Sequence, residues 1–134
     1  MKKTISLLLI AAFIVTLLTV SCKKKKTEEP AVQEKTYAEL IVGRWMTDGG
    51  GHYEVYDEGG TGHMWDPADD VQEDEADNFD WTIDQAHNHM TQVIHFQGGQ
   101  GDVPQSCNIL ILNETTLKYN NEAMKAEYTL IRVQ

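Results

Sequence analysis

Cysteine is scarce in this chain. There are two, Cys22 and Cys107. Cys22 falls in an export-type segment treated below, so Cys107 has no intrachain partner and no disulfide framework holds the body. A lone thiol in an apolar strand reads as a small buried residue. No His with Asn or Asp is arranged to make it a nucleophile. Basic residues are scarce as well. From Gly43 onward there are only Arg44, Lys118, Lys125 and Arg132, against 17 Asp and Glu, a net of −13 within a whole-chain charge of −10. Such a surface repels phosphate backbones, so nucleic acid is excluded as a partner of the body, while cationic partners and metal ions are not. No apolar run reaches the roughly 20 residues a spanning helix needs. No internal repeat and no long helical pattern competes with short strands. HExxH, Gly-x-Ser-x-Gly, phosphate-loop and dinucleotide motifs are all missing. The reading therefore expects no enzyme and no cofactor.

What is present begins with delivery. Residues 1–21 carry Lys2 and Lys3, then an apolar run over residues 5–20, then Ser21 before Cys22. This is the layout of a signal peptide. The ending Leu18-Thr19-Val20-Ser21-Cys22 resembles the lipobox of bacterial lipoproteins, with Thr19 where Leu is usual. That resemblance implies cleavage before Cys22 and lipidation of its thiol with palmitate-type chains. Several acyl chains anchor stably where one holds only marginally. Lys23 to Lys26 would then lie at head-group level, where each basic residue is worth about 1 kcal/mol on anionic lipid. In Gram-negative lipoproteins Asp after the Cys favours the inner membrane. Lys23 stands there instead, which implies the outer membrane. Residues 22–38 are rich in Glu, Lys and Thr and read as a solvated tether. Around Leu40 and Ile41 a helical turn is expected to plug one end of the body.

From Gly43 the apolar period becomes two. Eight strands are expected, over residues 44–47, 52–57, 61–66, 79–84, 87–96, 104–112, 116–120 and 124–133. Tyr53 and Val55 share a face, as do Phe79, Trp81 and Ile83, and Met90, Ile94 and Phe96. Gly59 and Gly60 supply a tight turn. Short turns between successive strands predict an all-β, eight-stranded antiparallel up-and-down barrel over residues 39–134, since closure removes exposed sheet edges.

Gly43-Arg44-Trp45 resembles the Gly-x-Trp signature of the lipocalins. The order of Tyr56-Asp57-Glu58-Gly59-Gly60-Thr61-Gly62, Phe79-Asp80-Trp81-Thr82-Ile83, residues 109–117 and Tyr128-Thr129-Leu130-Ile131-Arg132 is similar to small lipocalin-like lipoproteins of the Bacteroidetes. The resemblance implies a β-barrel that holds a small apolar or amphipathic molecule, with Arg132 packed over the Trp45 ring. This body is smaller than lipocalins proper and has neither their disulfides nor room for their flanking helix. An eight-stranded barrel is either filled by its own side chains or holds one small ligand. The bulk of Trp65, Phe79, Trp81, Met90, Ile94 and Phe96 predicts filling, with any ligand at the mouth, among Tyr53, Trp65, Trp81, Met90 and Phe96.

Two other constellations stay open. His87 and His89, two apart, would share one face of a strand, a starting geometry for zinc, with His95 on the same face and His52 and His63 on neighbouring strands. Asp69, Asp70, Glu73, Asp74, Glu75 and Asp77 crowd one loop, where Asp70 and Asp74 are candidate calcium ligands. Their spacing lacks the EF-hand pattern, and a solvated, extended loop is the simpler expectation. The loop is also a lure for a basic protein partner, the alternative being an interaction or inhibitor module at the cell envelope.

Overall fold

The computed structural model describes residues 34–99 and 101–134. The expected signal peptide over residues 1–21, Cys22 and most of the expected tether over residues 22–38 lie outside them. The described chain is all-β: a closed, antiparallel, up-and-down barrel of eight strands in sequence order. The strands are β1 (Gly43–Thr47), β2 (Tyr53–Tyr56), β3 (Thr61–Trp65), β4 (Asp77–Asp84), β5 (His89–His95), β6 (Asp102–Leu112), β7 (Thr116–Asn121) and β8 (Ala126–Val133). β1 closes the barrel on β8, with Trp45 opposite Arg132 and Met46 opposite Ile131. Among the described residues one short helix, α1 (Tyr37–Ile41), precedes β1.

Strand alternation sets which side chains face the lumen, and along the barrel axis the lumen has a packed half and an open half. At the end occupied by α1, Trp45, Tyr56, Phe79, Met90, Leu117 and Leu130 are buried and fill the space. The close pairing of Tyr56, Gly62 and Phe79 across three strands needs the glycine. A Cβ at Gly62 would run into the Phe79 ring and the Val55 carbonyl. Helix α1 caps this end. Thr36 and Glu39 form a reciprocal capping box, which satisfies two otherwise orphaned backbone donors. Tyr37 holds the helix to the β4–β5 turn through its N–H to Gln85 Oε1 (3.0 Å) and its hydroxyl to Asn88 Oδ1 (3.1 Å). Ile41 is fully buried.

Some boundaries differ from the sequence expectation. His87 belongs to a 3₁₀ turn, Gln85–His87, that ends in Asn88 at φ 51. It therefore does not share a strand face with His89. The longest strand is β6, not β5. β6 carries a bulge between Ile109 and Ile111. The bulge leaves Leu110 and Ile111 both exposed between buried Ile109 and Leu112, which simple alternation cannot register. β8 begins at Ala126 because Lys125 turns with φ 53.

Candidate functional site

The Gly-x-Trp strand is explained at the filled end. Trp45 is fully buried and its Nε1 donates to the Ile41 carbonyl at 2.7 Å. Arg132 Cζ lies 4.1 Å from the Trp45 ring centroid. The guanidinium donates to the Val42 carbonyl at 2.8 Å, to the Glu114 carbonyl at 2.8 Å and to the Leu40 carbonyl. It thereby ties α1, β8 and the β6–β7 turn around one indole. Gly43 has φ 135, and a Cβ there would strike the Arg132 guanidinium. Only glycine gives both that backbone and that room.

The other half of the lumen is open. A cavity of about 400 Å³ lies at the end opposite α1, among the β1–β2, β3–β4, β5–β6 and β7–β8 connections. That volume falls within the roughly 300–1,000 Å³ of small-molecule sites. Met64, Ile94, Phe96 and Tyr128 give it apolar wall. Phe96 and Met124 are exposed at its lips.

Its floor is a buried carboxylate. Glu54 faces inward on β2 and is 1% exposed. Glu54 Oε1 accepts from Tyr119 Oη (2.5 Å) and meets His52 Nε2 at 2.9 Å, while Oε2 accepts from Tyr56 Oη (2.6 Å). His52 Nδ1 lies 2.5 Å from Asp66 Oδ1. Burial pulls the His52 pKa down, but Glu54 and Asp66 outweigh it and raise it to about 9. The imidazolium is thus the counterion of the floor. Burial first, and the Glu54 charge second, push both Tyr56 and Tyr119 well above the usual phenol range, so both hydroxyls keep the protons they donate.

Gln92, fully buried, completes the floor. The one proton of Tyr56 Oη goes to Glu54, so that oxygen must accept from Gln92 Nε2, at 2.8 Å. This orients the amide. Its Oε1 faces only the Cys107 thiol, at 3.9 Å, a weak donor. Cys107 is a buried free thiol. Burial, then the charges of Glu54 and Glu122, push its pKa up to about 12, which leaves it unreactive.

The residues singled out from the sequence are dispersed. Met90 and Trp81 face inward but belong to the filled half. Tyr53 is corrected to the outer face: inward positions on β2 are Glu54 and Tyr56, so Tyr53 points away from the lumen. It stacks on Trp65 with ring centroids 4.8 Å apart. Arg44 lies over both rings, and Trp65 borders the cavity from outside. Of the aromatic residues proposed at the mouth, Phe96 alone projects there from within the barrel.

His87 binds Asp84 (2.7 Å), and His89 meets Ser106 (2.7 Å), so they do not converge. His95 sits on the outer surface between Asp102 and Asp80. The acidic loop is folded rather than extended. It forms two 3₁₀ turns, Pro67–Asp69 and Glu73–Glu75. Glu73 straps it to the barrel through Arg44 (2.8 Å) and His63 (3.4 Å). Asp70 caps the first turn at φ 64 and Asp74 lies exposed in the second. Among the described residues no group of three or more His, Cys, Asp or Glu side chains is placed to hold a metal ion.

Sequence reasoning missed His52 as a counterion, and it missed Glu54, Gln92 and Tyr119 altogether. A signal existed in Met90-x-Gln92-x-Ile94, a polar residue between two inward apolar ones. Comparison with protein-family models, with curated proteins and with solved structures returns no match.

Proposed function

We propose that this protein is a non-enzymatic binding protein of the cell envelope, which holds a small amphipathic molecule in the open half of its barrel. One observation carries the reading. The lumen is packed at the α1 end, yet at the other it leaves a cavity of about 400 Å³ with apolar walls over a polar floor. Filling one half with side chains makes a rigid base. The open half then offers a preformed surface for one ligand, which limits the ordering cost of binding. The barrel is compatible with the lipocalin-like fold its Gly-x-Trp strand suggests.

The same reading places the protein on the outer membrane through acyl chains on Cys22, in the manner of the small lipocalin-like lipoproteins it resembles. Support comes from the apolar run before Ser21-Cys22 and from the lysines at 23–26. The tether would let the barrel reach away from the lipid surface.

A titration with an environment-sensitive fluorescent amphipath tests the binding claim. Saturable one-to-one enhancement, displaced by unlabelled amphipaths, is expected. Linear, unsaturable partition of the probe would refute it. Palmitate labelling and membrane fractionation test the anchor separately.

A further inference from the structure

The cavity's charge lining restricts which amphipath fits. This inference rests on the binding role proposed above and goes on to name the ligand's head group. The lining carries four acidic residues, Glu54, Asp66, Asp69 and Asp77, and one base, His52, with no lysine or arginine. His52 is already committed to Glu54 and Asp66. Glu54 is closed off by three partners. Asp69 and Asp77 have no cationic partner within salt-bridge distance among the described residues. Among the described residues the Asp77 side chain accepts only the Gln97 backbone N–H, at 3.0 Å. The rim is therefore a place of uncompensated negative charge next to an apolar wall.

Anionic head groups meet repulsion at the rim and no free cation within. Neutral ones gain nothing from the rim charge. A cation gains from every uncompensated carboxylate, and a partly enclosed mouth screens that attraction less than open water does.

We propose that the cavity selects amphipathic cations, that is, amines or amidines with an apolar body. The apolar body lies against Met64, Ile94 and Tyr128, and the cationic head sits at the rim beside Asp69 and Asp77.

Decylamine, decanol and decanoate, equal in chain and different in head group, make the probe set. Each is titrated against the purified protein below its micelle concentration, by competition with the fluorescent amphipath. Decylamine is expected to bind about tenfold tighter than decanol, with decanoate weakest, and the gap should narrow as NaCl is raised. Asp69→Asn with Asp77→Asn should remove most of the amine preference while leaving decanol affinity within about twofold. Asp57→Asn with Glu58→Gln and Asp84→Asn, at the opposite end of the barrel, should leave the preference intact. Equal binding of all three head groups, or tighter binding of decanoate, overturns the cation proposal and leaves the binding role standing. An unchanged amine preference in the Asp69 and Asp77 variant overturns it as well. Failure of all three to bind overturns both readings. The wild-type comparison decides the matter even if a variant does not fold.

Discussion

A carboxylate in a barrel lumen is costly unless paired and hydrogen-bonded. Glu54 meets that condition with one imidazolium and two phenols. Removing it leaves both phenols without their acceptor and His52 with Asp66 alone. Glu54→Ala is expected to destabilise the barrel by about 3–5 kcal/mol, the range for breaking a buried pair. Urea unfolding checks this, and a loss below about 1 kcal/mol would mean water replaces the carboxylate at little cost. The pair also gives stability a pH dependence of definite sign. His52 has an ordinary pKa of 6.5 and about 9 in the fold. The folded state therefore holds the proton more tightly. Its contribution is fully present below about pH 6.5 and is lost as pH rises through about 9. The full effect is on the order of 3 kcal/mol. Urea midpoints should fall between about pH 6.5 and 9 in the wild type and stay nearly flat in His52→Gln. Parallel pH profiles would remove His52 from its counterion role. Cys107 and the buried tyrosines add their own losses only at higher pH.

At the scale of elements, the filled end depends on how β1, β8 and α1 meet. Trp45→Ala removes a fully buried indole, and is expected to cost about 3–5 kcal/mol. Gly43→Ala should be nearly as damaging although it adds a single methyl, because φ 135 is strained for alanine and the methyl meets the Arg132 guanidinium. A chemical-denaturation midpoint for Gly43→Ala within error of the wild type would contradict that geometry. This end was legible in the sequence. Period two, glycine turns and Gly43-Arg44-Trp45 were enough to give eight antiparallel strands and a plugging turn near Leu40 and Ile41. The open end was much less legible. In His52-Tyr53-Glu54-Val55-Tyr56 the apolar pattern favours Tyr53 and Val55 as the inner face. The register of β1 against β2 decides otherwise by setting buried Trp45 opposite Glu54. Periodicity ranks residues by apolarity, and a polar floor inverts that ranking. The acidic loop was misjudged for a similar reason. Repulsion within it predicts extension, but Arg44 and His63 on the barrel wall strap it down through Glu73.

For the whole molecule, anchor and barrel make separate predictions. Cys22→Ser should move the protein from membrane to soluble fractions or leave it unprocessed, with no palmitate incorporated, and equal membrane retention would refute the lipid anchor. The barrel's role depends on whether its open half is a ligand site or a void of no consequence. Native mass spectrometry of the protein purified from its own envelope, beside a Met64→Trp variant that fills the cavity, tests this most directly. Met64 is an inward lining residue on β3, so added bulk there takes up the ligand's space at a stability cost of about 1–3 kcal/mol. The account predicts a small-molecule adduct at one per chain in the wild type and its loss in folded Met64→Trp. A bare mass that stays bare when candidate amphipaths are added, or an adduct that survives in the filled variant, would contradict it.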